Sequence, residues 1–309
     1  MAVPKLKELT RREIGKNIWL GTNETDLFSQ FQPHQLEYEV LNNEEAVGNA
    51  MFEELLEVAR KKDGDIVFVL LGGRGAQALH RKLGELSKTN EIDDLLSRLH
   101  VFTQDSLAPM RMNNSFSFVR DFERLLGEEF FQKVKGFTPM KTESSDLESD
   151  MIEYAKKIES LGGIDIFYLG LGPEANENSH LCYIKPFSGA SINDFVGVIP
   201  ISDSILDHHI SKFKAGGAST NETDETECRN AKYILTLAPL AILTAKRVVQ
   251  SIVDASTAPA KVGSFRKIVE TRLSDDKVEL AKQIDENPGL LVRLHPNYRT
   301  LILPDVLGV

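Results

Sequence analysis

The chain has 309 residues, of which 41% are hydrophobic, so it can bury a core large enough for one large domain or two small ones. Its formal net charge of −10 repels nucleic acid phosphates and anionic lipids, so we expect neither as a partner. Two cysteines are too few for a disulfide framework, and no stretch has the roughly 20 apolar residues of a transmembrane helix, so we expect a cytoplasmic protein without membrane contact.

The beginning of the chain divides near residue 36. Residues 1–36 are polar and show no clear period, and we interpret them as an N-terminal extension that packs on the domain or extends toward a partner. Residues 37–309 are regular and are predicted to form the main domain. Residues 36–41 alternate like a strand, and residues 44–58 place apolar side chains on one helical face after Asn43, a typical N-cap.

The next segment carries a glycine-rich loop. Residues 66–71 form a continuous apolar run, typical of a strand covered on both faces. The loop residues Gly72, Gly73, Arg74 and Gly75 follow, and a helix is predicted directly after them. Glycines let backbone N–H groups approach a phosphate at the positive end of a helix. Any strand-to-helix turn also favours glycine, but three glycines and an arginine exceed what a turn needs, so we predict a phosphate site.

Strands and helices continue to alternate toward the end of the chain. Further strands are predicted at residues 99–102, 164–169, 233–237 and 299–303, and further helices at residues 121–131, 151–158 and 240–253. Residues 214–230 are too polar to bury and are predicted to form a mobile loop. The alternation predicts a three-layer α/β fold with a doubly wound, mostly parallel sheet. Ligands of such sheets bind beyond the carboxyl ends of the strands, here after residues 71, 102 and 169.

Four stretches resemble the glucosamine-6-phosphate deaminase family, and they occur in the family's order. They are VFTQD at residues 101–105, the SF…FF segment at 115–131, YAKKIESLGGIDIFYLGLG at 154–172, and LHPN with the closing strand LILPD at 294–305. The resemblance covers roughly residues 37–309. It implies the fold of the glucosamine-6-phosphate deaminase/6-phosphogluconolactonase superfamily and a sugar phosphate as the ligand.

The resemblance also implies roles for three residues. Asp105 matches the aspartate that moves a proton between C2 and C1 of the open sugar, work that needs a mobile carboxylate. Glu174 and His180 match the aspartate and histidine that open the sugar ring, although a polar insertion separates them here. The alternatives are a turn-capping aspartate and a surface-loop histidine.

Four basic residues are candidates for binding the phosphate. Arg74 would replace the hydroxyl groups that the family places in the glycine loop. Lys185 stands where the deaminases have a glutamate and the lactonases an apolar residue, so it either contacts phosphate or is a solvated loop lysine. Lys212 and Lys267 lie near the positions of a phosphate-binding arginine and lysine, and the alternative for both is an exposed helix charge.

No metal and no other cofactor is expected. His208 and His209 are adjacent, so their side chains point apart, which is poor geometry for one metal ion. Neither Cys182 nor Cys228 lies in a metal-ligand pattern.

Three functions remain open at this point. The first is a sugar-phosphate isomerase or deaminase acting on or binding an amino sugar or sugar 6-phosphate. The second is a non-catalytic sugar-phosphate-binding protein, and the third is a 6-phosphogluconolactonase-type hydrolase. Lys185 and the insertion favour the latter two, whereas the motifs favour deaminase ancestry. The expected partner is a small-molecule sugar phosphate, and the sequence leaves a homo-oligomer open.

Overall fold

The computed structural model of the chain describes residues 9–23, 27–174 and 178–308. The strands in this part of the chain are β1 (Thr10–Ile14), β2 (Asn17–Gly21), β3 (Tyr38–Val40), β4 (Ile66–Leu70), β5 (Leu99–Thr103), β6 (Asp105–Ala108), β7 (Gly136–Thr138), β8 (Ile166–Leu169), β9 (Gly172–Glu174), β10 (Asn178–His180), β11 (Asp194–Pro200), β12 (Tyr233–Leu237), β13 (Arg247–Ile252) and β14 (Tyr298–Ile302). The α-helices are α1 (Glu44–Lys61), α2 (Gln77–Ser87), α3 (Asp93–Leu96), α4 (Phe118–Lys133), α5 (Leu147–Ser160), α6 (Asp203–Ala215), α7 (Glu222–Arg229), α8 (Pro239–Leu243), α9 (Ala260–Glu270) and α10 (Lys277–Glu286). None of these helices is both long and apolar enough to cross a bilayer.

The main sheet has seven parallel strands in the order β3-β14-β13-β8-β4-β5-β7. From β4 the chain crosses through α2 to β5 on one side, and it later returns through α5 to β8 on the other side of β4. Crossovers that run in opposite directions place their helices on opposite faces of the sheet, because each crossover is right-handed. Accordingly α1 packs on α2 and α2 on α4, whereas α5 packs against β11. The predicted doubly wound α/β fold is confirmed.

A second sheet, which the sequence pattern did not predict, is antiparallel. Its strand order is β1-β2-β11-β12-β6. The chain passes from the main sheet to this one at Gln104, between β5 and β6. Asp105 is therefore the first residue of β6, and it lies at the carboxyl end of β5, where the two sheets meet.

The described part of residues 1–36 contributes two strands to the second sheet. In β2, Trp19 is fully buried, and its indole Nε1 donates a hydrogen bond to the Ser188 carbonyl at 3.1 Å. The ring packs against Gly197 of β11, where an added Cβ would lie 2.5 Å from the indole Cζ3. The extension was expected either to pack on the domain or to extend toward a partner, and its described residues pack on the domain. The boundary at residue 36 stays a prediction.

The helix predicted over residues 240–253 is wrong. The structure has only the short helix α8 there, followed by β13 near the middle of the main sheet. A continuous apolar run does not distinguish a buried helix from a strand covered on both faces, and here β-branched residues such as Val248 and Val249 favour the strand.

The segment at residues 214–230, predicted as a loop, contains α7. Its helix is capped by Asn221, whose side chain accepts from the Asp224 N–H. The helix is anchored to the domain because Arg111 pairs with Asp224 and Glu227. A polar segment can thus be ordered by ion pairs, which periodicity does not reveal.

Candidate active site

Loops from four neighbouring strands meet at the carboxyl edge of the main sheet and line one cleft. They follow β4, β5, β8 and β13, and the direction of strand order reverses between β4 and β8. Such a reversal opens a crevice, because the adjacent loops leave toward opposite faces. The lining residues discussed below are Gly72, Gly73, Arg74, Gly75, Gln104, Asp105, Gly172, His180, Tyr183, His208, His209, Lys212, Asp254 and Lys261.

The glycine-rich loop forms one wall of the cleft. Gly73 has a φ of 76°, in the left-handed region that favours glycine. The N–H groups of Gly72 and Gly73 donate to no acceptor within the described ranges, so they are available to an anionic ligand. Arg74 also lines the cleft, and its Nη2 donates to Glu44 Oε1 at 2.5 Å. The loop thus presents backbone donors and one paired guanidinium.

Asp105 is a buried carboxyl group that also lines the cleft. Its Oδ2 accepts a hydrogen bond from Gln104 Nε2 at 2.9 Å. Burial raises the pKa of Asp105 to about 7, against the smaller lowering effect of the Gln104 hydrogen bond. A carboxyl group with this pKa can both take and return a proton near neutral pH.

His180 lies in the cleft without a hydrogen-bond partner. In the β9–β10 hairpin it is paired with Gly172, and its ring stacks on Tyr183 with the centroids 4.9 Å apart. Neither ring nitrogen has a partner in the part of the chain that the structure describes. Burial lowers the pKa of His180 to about 3, so the ring is neutral at physiological pH.

Glu174 does not approach the His180 ring nitrogens. It lies two residue pairs further along the hairpin, opposite Asn178, and its Oε1 accepts from Ser204 Oγ at 3.3 Å. Burial raises the pKa of Glu174 above its ordinary value. The positive charge of the nearby Lys185 acts in the opposite direction but does not outweigh burial. Lys185 itself is not among the residues that line the cleft. The part of the insertion at residues 175–177 lies outside the described residues.

Tyr183 is fixed behind His180 by a second histidine. The Tyr183 hydroxyl donates to His209 Nδ1 at 2.7 Å, and His209 Nε2 donates to the Phe116 carbonyl at 2.7 Å. A carbonyl only accepts, so His209 holds its proton on Nε2. Burial lowers the pKa of His209 to about 4, which keeps this neutral tautomer.

Two lysines supply positive charge to the cleft. Lys212 reaches it from α6, next to His208, and Lys261 reaches it from the first turn of α9. Lys267 lies two turns further along α9, and its Nζ donates to Asn178 Oδ1 at 3.3 Å outside the cleft. Sequence reasoning missed Lys261 because β13 was interpreted as a helix. If residues 247–252 are assigned as a strand, Lys261 in the first turn of the following helix is a candidate for the cleft.

Replacing Gly172 with alanine should displace His180. The added Cβ would lie 1.9 Å from the imidazole Cε1, so the ring must leave its place on Tyr183. NMR titration of the histidine ring should then show the pKa of His180 rising from about 3 toward its ordinary value of 6.5. Gly136→Ala is the control, because its Cβ would approach no atom closer than 3.5 Å. Unchanged His180 resonances in Gly172→Ala would contradict the packing described.

Nowhere in residues 9–23, 27–174 and 178–308 do three His, Cys, Asp or Glu side chains come together to hold a metal ion. The expectation of no metal stays a prediction.

The chain is similar in sequence to glucosamine-6-phosphate deaminases. No protein-family model matches the chain. Glucosamine-6-phosphate deaminase from Clostridium beijerinckii is 25% identical over 266 residues, which cover 81% of this chain and 93% of that protein. Glucosamine-6-phosphate deaminase 1 of Bacillus subtilis is 25% identical over 255 residues, covering 78% and 93%.

Solved structures establish the same fold. A monomeric glucosamine-6-phosphate deaminase superposes with a TM-score of 0.68 at 19% identity, over 88% of this chain and 99% of that one. The 6-phosphogluconolactonase of Trypanosoma brucei superposes with a TM-score of 0.61 at 15% identity, over 90% and 98%. The chain is thus similar in sequence to glucosamine-6-phosphate deaminases, and it shares the fold of these deaminases and of the 6-phosphogluconolactonases.

Proposed function

We propose that the protein is a sugar-phosphate isomerase or deaminase that moves a proton between C2 and C1 of an amino sugar or sugar 6-phosphate. The observation that carries this proposal is the buried Asp105 carboxyl, with a pKa of about 7, in the same cleft as Lys212 and Lys261. Proton transfer at carbon needs a base with such a pKa, and the lysines and glycine loop are suited to an anionic end group.

Asp105 acts as the base in this proposal. Its carboxylate takes the proton from C2 of the open-chain sugar and returns it to C1, while a second proton passes from the oxygen or nitrogen on C2 to the oxygen on C1, so the aldose becomes a ketose. With an amino sugar the product of this shift is an imine at C2. Water then adds to the imine and ammonia leaves, which balances the conversion of glucosamine 6-phosphate and water to fructose 6-phosphate and ammonia.

The other end of the ligand is held by charge and by backbone donors. The N–H groups of Gly72 and Gly73 and the ammonium groups of Lys212 and Lys261 are donors suited to phosphate oxygens. Such contacts hold the reacting carbons beside Asp105, because binding energy from the unreactive end positions the reactive end.

Ring opening is the weak step of this site. His180 is in the cleft, but no carboxylate of the described chain accepts from it, and Glu174 pairs with Ser204 instead. A neutral histidine with a pKa of about 3 is also a weak base. We therefore expect open-chain sugar phosphates to react faster than cyclic ones.

The same observation favours a second candidate, a protein that binds sugar phosphate without turning it over. If His180 cannot open the ring, cyclic substrates would bind and remain unchanged. The lactonase alternative has less support, because it asks His180 to activate water, and a base with so low a pKa removes protons poorly.

Incubation with glucosamine 6-phosphate and, separately, fructose 6-phosphate in heavy water tests the proposal. Asp105 exchanges its proton with solvent between abstraction and return, so we expect deuterium on the carbon skeleton of the product, measured by mass spectrometry. A parallel assay follows hydrolysis of 6-phosphogluconolactone. Binding is measured separately as the rise in melting temperature with sugar 6-phosphates, against their unphosphorylated sugars as controls.

Lys261→Met and Lys267→Met form a matched pair for the binding arm. We expect Lys261→Met to remove most of the stabilisation by sugar 6-phosphate and Lys267→Met to keep it, because only Lys261 lines the cleft. Saturable binding without deuterium incorporation would favour the non-catalytic candidate. Fast lactone hydrolysis without incorporation would show that the protein is a lactonase.

A further inference from the structure

The cationic groups of the cleft already have carboxylate partners. Lys212 Nζ lies 2.5 Å from Asp254 Oδ2, and Lys261 Nζ contacts Asp254 Oδ1. Lys261 also donates to the Val253 carbonyl at 2.9 Å. Arg74 is paired with Glu44 in the same way. Two carboxylates therefore share three cations, and an anionic group that enters the cleft must compete with these carboxylates for them.

Asp254, Lys212 and Lys261 form a cluster, and burial strengthens the electrostatic attraction between the Asp254 carboxylate and the two lysines. The Asp254 side chain is 1% exposed, that of Lys261 9% and that of Lys212 17%. Burial would raise the pKa of Asp254, but the two lysines hold it below its ordinary value, so it is charged. A carboxylate in this position repels an incoming anion through a medium that screens charge poorly.

We propose that Asp254, assisted by Glu44, is an internal counter-ion that competes with the anionic group of the ligand for Lys212, Lys261 and Arg74, and so sets how tightly the cleft binds phosphate. The inference deepens the proposed function and rests on it in placing the ligand's phosphate at these cations. Ligand binding then exchanges an internal ion pair for one with the ligand, which weakens affinity and speeds release of a phosphorylated product.

The backbone at Asp254 allows a clean test. Its φ of 60° lies in the left-handed region, which asparagine adopts at least as readily as aspartate. Asp254→Asn therefore keeps the turn and one oxygen acceptor but removes the negative charge. Lys261 is then left buried without its counter-ion, so the unliganded variant should be less stable than wild type.

The experiment is titration of wild type and Asp254→Asn with inorganic phosphate at constant ionic strength, by calorimetry and by thermal unfolding. We expect Asp254→Asn to melt lower without phosphate and to bind phosphate at least about ten-fold more tightly, because the anion replaces the missing counter-ion. Glu44→Gln should bind phosphate about two- to three-fold more tightly, since the Arg74–Glu44 pair is partly exposed and screened.

Asp165→Asn is the matched control. Asp165 is equally buried and also accepts from two lysines, Lys62 at 2.6 Å and Lys246 at 2.7 Å. It precedes β8, so it lies at the opposite edge of the sheet from the cleft. We expect Asp165→Asn to lower the melting temperature but to leave phosphate affinity within about two-fold of wild type, because its lysines do not meet the ligand.

The outcomes separate this inference from the proposed function. Phosphate binding by Asp254→Asn that is equal to or weaker than that of wild type would overturn the inference, and a weaker value would make Asp254 a positioning residue for the lysines. If Asp254→Asn does not fold even in the presence of phosphate, the test rests on Glu44→Gln. Phosphate binding by Glu44→Gln that is equal to or weaker than that of wild type then overturns the inference. Tighter phosphate binding without any deuterium incorporation supports the inference while the proposed catalysis fails. If deuterium is incorporated but neither wild type nor any variant binds phosphate, the proposed catalysis stands and the inference about Asp254 fails.

Discussion

Replacing Asp105 with asparagine should lower turnover of a sugar 6-phosphate by about 10²- to 10⁴-fold, the usual contribution of a positioned general base. Asparagine has nearly the same shape but cannot take a proton from carbon. Phosphate binding should change little, because Asp105 makes no contact with Lys212 or Lys261. The measurement is the initial rate with glucosamine 6-phosphate and with fructose 6-phosphate, beside phosphate affinity.

The pH dependence gives the same prediction a second readout. In wild type, kcat/KM should rise with pH through about 7, because Asp105 must be ionised to act as the base. That limb of the profile should disappear from the residual activity of Asp105→Asn. A profile with the same limb in the variant would mean that another group titrates there.

Stability distinguishes a catalytic role of Asp105 from a structural one. Burial raises the pKa of Asp105 above its ordinary value of 3.8, so the folded state binds more protons than the unfolded state between about pH 4 and pH 7. Ionised Asp105 therefore destabilises the fold above pH 7, and asparagine removes this cost. The free energy of unfolding of Asp105→Asn at pH 8 should equal or exceed that of wild type, and a large loss would contradict a purely catalytic role.

Asp121→Asn is the control for this substitution. Asp121 is also a buried carboxyl group whose pKa is raised by burial, but it pairs with Arg124 on α4 and does not line the cleft. We expect its turnover to stay within about three-fold of wild type, in keeping with the usual small effect of changes away from reacting groups. A loss equal to that of Asp105→Asn would show that both act through folding.

Replacing Trp19 with alanine should lower the free energy of unfolding by about 3–5 kcal/mol, the range for loss of a large buried side chain. Trp19 is fully buried, and its removal also leaves the Ser188 carbonyl without the Nε1 donor. The absence of a side chain at Gly197 makes room for the indole, which a Cβ there would meet at 2.5 Å. Chemical denaturation with linear extrapolation measures the loss.

Arg11→Ala tests whether the effect comes from burial. Arg11 is an exposed residue of the neighbouring strand β1 that pairs with Glu13 and Glu148. Exposed ion pairs contribute little to stability, so its unfolding midpoint should stay close to that of wild type. If Trp19→Ala unfolded at the wild-type midpoint, β1 and β2 would be a dispensable extension of the domain.

Local patterns in the sequence predicted the strands of the main sheet except β7 and β13, and they predicted one wall of the site. Strands covered on both faces appear as short apolar runs, so β4 and β8 were predicted within two residues of their ends. In a parallel sheet the loops after such strands share one edge, which predicts that Gly72–Gly75 and Asp105 lie at the same edge. These inferences need only the spacing of apolar residues within one helix or strand and the right-handedness of the connections between parallel strands.

Other features depend on residues far apart in the chain, and only the tertiary structure decided them. Lys212 and Lys261 meet at Asp254, although α7, β12, α8 and β13 separate the first lysine from the other two residues. Burial raises the pKa of Asp105 to about 7, because neighbours from several elements exclude water from its carboxyl group. Glu174 points to Ser204 because the hairpin register places it two pairs beyond His180. Register, burial and ion pairing arise from contacts between elements, and the period of one element carries no information about them.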